Sequence, residues 1–171
     1  MHPRKIQGLT IPLIMDGLQL LGLSDWTLKV LGHDIKGHAE TGSGKSAAFL
    51  LPIINQLMTK KKNKEYESKR GCPYAVIIEP TRELVYQLYD QARKLADGLF
   101  LQKYLPNEFP QQNCPGTGIT VSKCYGKFQR KANIREISVN GCDILIGTPG
   151  RLWDFFQSDY VSSSNRTWRR P

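Results

Sequence analysis

Features that mark metal-binding proteins are scarce in this 171-residue sequence. Its four cysteines, Cys72, Cys114, Cys124 and Cys142, show no C-x-x-C spacing, and its three histidines complete no zinc pattern. This absence disfavours a structural zinc site. We therefore expect reduced, partly buried thiols in an intracellular protein, located in the cytoplasm or the nucleus.

Long apolar runs are also missing. The most apolar stretch, residues 9–23, is interrupted by Pro12, Asp16 and Gln19, and no small-x-small cleavage site follows it cleanly. It is too broken to span a bilayer. We therefore expect no targeting segment and no membrane partner.

Acidic residues are outnumbered, with 15 Asp and Glu against 24 Lys and Arg and a formal net charge of +9. Such a surplus suggests a polyanion partner. However, six of the basic residues lie in residues 60–70, and Arg166, Arg169 and Arg170 lie in the tail. The charge is weak evidence for a binding face, because a solvated, mobile connector explains 60–70 equally well.

The most informative stretch is residues 39–46, Ala-Glu-Thr-Gly-Ser-Gly-Lys-Ser. It matches a phosphate-binding loop except that Ala39 stands where the pattern has its first Gly. Gly42 and Gly44 permit backbone conformations in which successive N–H groups turn toward phosphate oxygens. Lys45 would reach the outer phosphates, and the Ser46 hydroxyl would ligate Mg²⁺. The alternative is a Gly/Ser turn that merely precedes a lysine.

Hydrophobic patterning predicts strands alternating with helices. We predict helices over 6–21, 45–58, 80–100 and 128–139, strands over 34–39, 75–78, 119–124 and 144–146, and a turn at 148–151 leading into 152–156. Residues 34–39 make a poor strand, and their assignment depends on the phosphate loop that follows.

This alternation predicts an α/β fold with a doubly wound parallel sheet. Ligands bind such sheets at the carboxyl ends of the strands. Three candidate segments follow strand ends: the phosphate loop, residues 80–82 and residues 148–151. The fold therefore predicts that they gather at one edge.

Together these motifs resemble the first RecA-like domain of DEAD-box RNA helicases, possibly of the Vasa-like branch, over most of residues 4–157. Residues 39–46 are similar to the family's ATP-binding motif I, residues 80–84 with Gln87 to motif Ia, and residues 148–151 to motif Ib. Gly126 stands where the family has a Gly-Gly pair, and Gln7 resembles the glutamine of the Q motif.

The resemblance implies that ATP and Mg²⁺ are the cofactors and that RNA is the partner. Gln7 would read the adenine edge. The triphosphate and its metal would be held by Thr41, Gly42, Ser43, Gly44, Lys45 and Ser46, with Lys45 also catalytic and Ser46 the metal ligand. RNA phosphates and sugars would contact Pro80, Thr81, Arg82, Gly126, Thr148, Pro149, Gly150 and Arg151. Such contacts carry no base information, so binding would be independent of sequence.

Several features depart from the family pattern. The Asp-Glu-Ala-Asp sequence is absent, and no two acidic residues are adjacent. Lys127 replaces the second Gly of the pair. We expect an N-terminal fragment: a partial helicase ATP-binding domain over 1–157 with an insert at 18–31, and an unpatterned Ser/Arg-rich tail over 158–171.

Three functions remain open on this basis. The first is an ATP-dependent RNA helicase, represented here by a fragment. The second is a nucleotide- or RNA-binding remnant without turnover. The third is another phosphate-loop enzyme, such as a small kinase, which residues 80–83 and 148–151 disfavour. We expect that the chain alone does not hydrolyse ATP measurably, because it lacks the acidic pair that positions metal and water.

Overall fold

The computed structural model of the chain describes residues 18–21, 27–30, 33–36, 38, 40, 42–68, 71–97, 117–127, 129–139 and 141–157. Within these ranges the chain forms two three-stranded sheets and four helices. In chain order the elements are β1 (Leu18–Leu21), β2 (Thr27–Val30), β3 (His33–Lys36), α1 (Lys45–Lys62), β4 (Ala75–Ile78), α2 (Arg82–Ala96), β5 (Val121–Cys124), α3 (Arg130–Val139), β6 (Ile144–Gly147) and α4 (Pro149–Gln157).

The second sheet is parallel and has the order β4-β6-β5. Ile146 of β6 lies opposite Ile77 on one side and Lys123 on the other. All four residues of β6 are buried, as expected for a central strand whose sequence is continuously apolar. The predictions of strands at 75–78, 119–124 and 144–146 are confirmed, with the second starting at Val121.

Helices cover both faces of this sheet. Ile144 and Ile146 point into a core shared with α1 and α2, whereas Leu145 points into a second core shared with α3 and α4. The first core contains Ala48, Phe49, Leu50, Ile53, Ile54, Leu57, Ala75, Ile77, Val85, Leu88, Ala92, Leu95, Ala96, Ile119 and Tyr125 in addition to those two isoleucines. This arrangement is the predicted doubly wound architecture.

Helix α1 begins at Lys45 as predicted but extends to Lys62. The prediction of a mobile connector from residue 60 is therefore wrong for 60–62. Lysines in the last helical turn favour the helix because they face its negative end. Lys61 has a further partner, since its Nζ atom lies 2.6 Å from Oδ2 of buried Asp143.

Helix α2 buries Val85, Leu88, Ala92, Leu95 and Ala96. The helical spacing of Leu84, Leu88, Ala92, Leu95 and Leu99 predicts that these residues form the buried stripe, but Leu84 is 38% exposed. Adjacent apolar residues at 84 and 85 fit a helical stripe of either phase, and packing on the sheet selects the phase that buries Val85.

The helical spacing of Trp153, Phe155 and Phe156 in α4 predicts that all three rings belong to the core. Phe155 is fully buried and Phe156 is half-buried, but Trp153 is 59% exposed. The expectation is therefore wrong for Trp153. Trp153 and Phe155 are two positions apart, which places them on opposite sides of the helix, so both rings cannot face the core.

The first sheet is antiparallel, with the order β1-β2-β3. The predicted parallel strand at 34–39 is wrong for its described core, because β3 pairs antiparallel with β2. Its sequence, His-Asp-Ile-Lys, lacks the aliphatic run that a doubly buried strand needs. Residues 18–21 were expected to end a helix and instead form β1, which pairs with β2. Four residues are too few to separate a helical from a strand pattern.

None of the helices in the described ranges is both long enough and apolar enough to cross a membrane.

Candidate nucleotide and nucleic-acid site

The phosphate loop has the backbone that its glycines allow. Gly42 has a φ of 78° and Gly44 a φ of 90°, both in the left-handed region. A Cβ atom at Gly42 would meet nothing within 4 Å, so glycine is required there by backbone angle and not by space. The Ser43 N–H donates to the Glu40 carbonyl over 3.2 Å, which closes the turn just before α1.

The start of α1 is suited to an anion. Its N-cap residue is Gly44, which supplies no side-chain cap, and its first turn contains no acidic residue. Neither a capping side chain at position 44 nor an acidic residue in the first turn offsets the positive end of the helix dipole. The Ser43 Oγ atom is buried and has no hydrogen-bond partner within the described residues. These features fit phosphate oxygens.

The direction of α1 places this turn relative to the parallel sheet. Lys61, near the end of α1, contacts Asp143, which immediately precedes β6. The carboxyl end of α1 therefore lies at the amino edge of the sheet. An 18-residue helix is about 27 Å long, so its amino end points to the carboxyl edge.

The three parallel strands end level with one another. Gly147 is paired with Ile78 and with Cys124. Beyond the pairs, the Glu79 N–H donates to the Gly147 carbonyl over 2.9 Å, and the Thr148 N–H donates to the Cys124 carbonyl over 3.0 Å. The segments that begin at Pro80, Tyr125 and Thr148 are therefore neighbours. The predicted gathering at one edge therefore holds for residues 80–82 and 148–151, and the segment after β5 lies beside them.

Close packing fixes the last residue of β6. A Cβ atom at Gly147 would lie 2.5 Å from the Cys124 Sγ atom and 2.9 Å from the Leu152 Cγ atom. No real Cβ contact is that short, so glycine is required for steric reasons.

Thr81 and Arg82 are exposed at the start of α2, beside exposed Pro80. Thr81 is the N-cap, and its hydroxyl oxygen accepts from the Leu84 N–H over 3.3 Å. Hydrogen bonds from the Glu83 backbone N–H and then from the Thr81 hydroxyl lower the pKa of the Glu83 carboxyl. The Thr81 side chain therefore stabilises the helix start and presents Arg82 at the edge.

Thr148, Pro149, Gly150 and Arg151 form the start of α4. The Thr148 carbonyl accepts from the N–H groups of Arg151 and Leu152, and Pro149 occupies the first helical position, which needs no N–H donor. Pro149 and Gly150 are exposed. They lie at the same carboxyl edge of the sheet as Arg82.

The Arg151 side chain is turned inward and is 13% exposed. Its NH1 atom donates to Oδ1 of buried Asn133 over 3.0 Å, and its guanidinium lies 5.7 Å from the Phe155 ring centroid. Asp154 lies 4.0 Å from its Nε atom and 3.1 Å from Nε of Arg130. Arg151 thus links α3 to α4 in this conformation.

Gly126 follows β5, and a Cβ atom there would meet nothing within 4 Å. Lys127, where the family has its second Gly, has a φ of 62°. The backbone keeps the left-handed turn that glycine adopts without cost, and lysine adopts it under strain. The replacement changes the side chain without removing the turn.

Two of the predicted site residues, Gln7 and Thr41, lie outside the described residues, as does Ala39 of the phosphate loop. The proposed reading of adenine by Gln7 stays a prediction.

A tyrosine pair beside Gly126 could not be predicted from the sequence. The exposed Tyr86 and the buried Tyr125 share a short hydrogen bond between their hydroxyls, and their ring centroids are 5.1 Å apart. Burial and then the bond to Tyr86 raise the pKa of Tyr125 to about 12. The residues are 39 positions apart, and only the packing of α2 against β5 brings them together.

A second unpredicted cluster surrounds Asp143 at the amino edge. This fully buried carboxylate accepts from Lys61, from Ser68 and from the backbone and side chain of Thr120. Burial and then the charge of Asp143 raise the pKa of the nearby Tyr66. Asp143 precedes the apolar run of β6, so its position marks the strand start, but its three partner residues are distant in sequence.

Comparison with known proteins places this geometry in a family. A model of DEAD/DEAH box helicases matches residues 4–168. The chain is 35% identical over 160 residues to DEAD-box ATP-dependent RNA helicase rde-12 of Caenorhabditis elegans, covering 93% of this chain and 13% of that protein. It is 34% identical over 160 residues to ATP-dependent RNA helicase vasa of Drosophila melanogaster, covering 94% of this chain and 18% of that protein.

Solved structures give the same result. The RNA helicase Prp28 of Chaetomium thermophilum, bound to ADP, matches with a TM-score of 0.63 and 31% identity, over 95% of this chain and 30% of that chain. The chain spans less than a third of that structure and less than a fifth of the two curated relatives. The α/β, RecA-like fold class is confirmed. The match over residues 4–168 establishes that the chain belongs to the DEAD/DEAH box helicase family.

Proposed function

We propose that this chain is the nucleotide- and RNA-binding part of an ATP-dependent RNA helicase. The observation that carries the proposal is that the amino end of α1 points to the carboxyl edge of the parallel sheet, where the segments of Arg82, Gly126 and Gly150 begin. A triphosphate at that helix start and an RNA backbone along the loops would then lie within one surface.

The residues of the loop have distinct roles toward ATP. The left-handed backbone at Gly42 and Gly44 aims N–H groups at the phosphates, and the buried Ser43 hydroxyl adds a donor. Lys45 contributes its positive charge to the outer phosphates. Ser46 contributes one oxygen ligand to Mg²⁺, which keeps several waters in such sites. When bound, the metal neutralises charge on the phosphates.

RNA would be held by the loops at the strand ends. Arg82 supplies a charge to a phosphate, and the open backbone at Gly126 and Gly150 permits close approach of the sugar-phosphate chain. Arg151 positions α4 through Asn133 and Asp154. Release of Arg151 from these partners would be needed before it could contact RNA directly.

Fluorescent ATP binding to the 171-residue chain tests the nucleotide part. We expect Mg²⁺-dependent binding that weakens at least about tenfold in Lys45→Ala, because one charge-assisted contact is worth about 1.5–3 kcal/mol. Lys62→Ala is the matched control, since Lys62 is exposed at the opposite end of the same helix. Equal weakening in both variants would contradict the assignment.

A second function, binding without turnover, is favoured by one observation. No two acidic residues are adjacent in this sequence, and phosphoryl transfer depends on carboxylates that position metal and water. Steady-state ATP hydrolysis with and without RNA separates the two functions. RNA-stimulated turnover by this chain that disappears in Lys45→Ala would rule out the second.

The family and the phosphate chemistry are compatible with action in the cytoplasm or the nucleus, which we propose as its location. Imaging of the tagged chain in its own cells tests this proposal.

A further inference from the structure

Tyr86 is one of the three large hydrophobic side chains that the described residues expose, at 48%, together with Leu84 and Trp153. Two contacts with Tyr125 hold it in place. Its hydroxyl shares a hydrogen bond with Tyr125, and its ring lies against the Tyr125 ring at an interplanar angle of 47°. An exposed aromatic ring that is already fixed loses little conformational entropy when it binds a ligand.

The surroundings of Tyr86 indicate the chemistry of that ligand. Tyr86 lies one helical turn after Arg82, so both side chains project from the same face of α2. Tyr125, behind it, is followed directly by Gly126. The ring therefore stands between two elements that we assign to RNA.

Positive charge is also present at the ring. The Lys123 Nζ atom lies 5.5 Å from the Tyr86 ring centroid and 3.7 Å from that of Tyr89. Glu136 lies 3.8 Å from the same Nζ atom and partly offsets its charge. An aromatic face with basic groups on either side is the arrangement with which proteins bind single-stranded nucleic acid.

We propose that Tyr86, backed by Tyr125, is a stacking platform for one base of a single-stranded RNA segment whose backbone contacts Arg82 and Gly126. This inference rests on the proposed RNA function and adds to it a base contact. Stacking on a tyrosine tolerates any base, so the contact would raise affinity without reading sequence.

The experiment measures binding of an oligouridylate of about ten nucleotides to the 171-residue chain by fluorescence anisotropy. We expect Tyr86→Leu to weaken binding about tenfold and Tyr86→Phe to leave it within about twofold, because phenylalanine retains the ring and lacks the hydroxyl. If Tyr86 serves only to satisfy the Tyr125 hydroxyl, both variants lose that bond and behave alike, which would overturn the proposal.

Two controls separate this proposal from the RNA function itself. Trp153→Leu removes another exposed ring and is expected to leave RNA affinity unchanged. Arg82→Gln tests the underlying backbone contact. Binding that weakens in Arg82→Gln but not in Tyr86→Leu would leave the RNA function standing and refute the platform. No RNA binding by the unmodified chain would refute both, and would leave a protein partner as the alternative occupant.

A spectroscopic readout identifies stacking directly. We place 2-aminopurine at successive positions of the oligonucleotide. At one position we expect its fluorescence to be quenched by the unmodified chain and by the Tyr86→Phe variant, but not by the Tyr86→Leu variant. Quenching at no position, or quenching that persists in Tyr86→Leu, would overturn the proposal.

Discussion

The polar groups at the two edges of the parallel sheet have opposite roles. At the amino edge, Asp143 is fully buried and its oxygens accept from Lys61, Ser68 and Thr120, so the groups there satisfy one another. At the carboxyl edge, Arg82, Pro149 and Gly150 are exposed, and Ser43 buries a hydroxyl with no partner in the described ranges. One edge stabilises the fold, and the other presents groups to ligands.

The largest effect is expected at the amino edge. Asp143→Ala leaves Lys61 without its carboxylate and the Thr120 N–H without an acceptor, at a cost of about 4 kcal/mol in unfolding free energy. Urea denaturation measures it. Asp90→Ala, which removes an exposed pair with Lys94, is the control and should cost less than about 0.5 kcal/mol. Similar losses of unfolding free energy in both variants would contradict the inference that the Asp143 contacts stabilise the amino edge of the sheet.

Gly147→Ala should lower the free energy of unfolding by about 3 kcal/mol, because the new Cβ atom would overlap Cys124 and Leu152. Strand β6 cannot shift to relieve this overlap, since it is paired on both sides. Gly150→Ala is the matched control, since a Cβ atom there meets nothing within 4 Å. Thermal unfolding of both variants compares them. A larger loss in Gly150→Ala would mean that the strand end is not tightly packed.

Lys127→Gly should stabilise the chain by about 1 kcal/mol by relieving the left-handed strain at φ 62°. The control is Lys131→Gly, at an exposed position of α3, which should destabilise by about 1 kcal/mol because glycine disfavours a helix. Opposite signs from the same substitution in the same denaturation assay would identify backbone strain at the carboxyl edge. Equal signs would contradict it.

The smallest effect concerns Glu79, at the end of β4, where burial raises the pKa of the carboxyl. A raised pKa means that the folded state holds the proton more tightly than the unfolded state. The contribution of Glu79 to stability is therefore lost as pH rises through the folded pKa. Glu79→Gln should stabilise by about 0.5 kcal/mol at pH 7 and have no effect at pH 4. A gain that is equal at the two pH values would show that charge is not the cause.

The parallel sheet was predictable because its strands are apolar runs that suit burial on both faces, and its site loops follow them at fixed chain positions. The first sheet was not, because four-residue strands such as Leu18–Leu21 and His33–Lys36 have no pattern of their own and form through pairing with β2. Intrinsic strand propensity predicts little where pairing with another strand determines the structure.

In the candidate site, residue types could be predicted but orientations could not. Gly42 and Gly44 have the left-handed backbone that the loop pattern requires. The contact of Arg151 with RNA stays a prediction, and the bond from its side chain to Asn133, 18 positions away, could not be predicted. The contact of Tyr86 with Tyr125 could not be predicted, since the two residues belong to different strand-helix units. Long-range packing sets each of these orientations.

Two main-chain hydrogen bonds, from Glu79 to Gly147 and from Thr148 to Cys124, tie the three strand ends together. No side chain takes part in either bond. Residues at the loop surfaces can therefore be exchanged during evolution, changing which ligand is recognised, while the positions of the loops themselves are inherited unchanged.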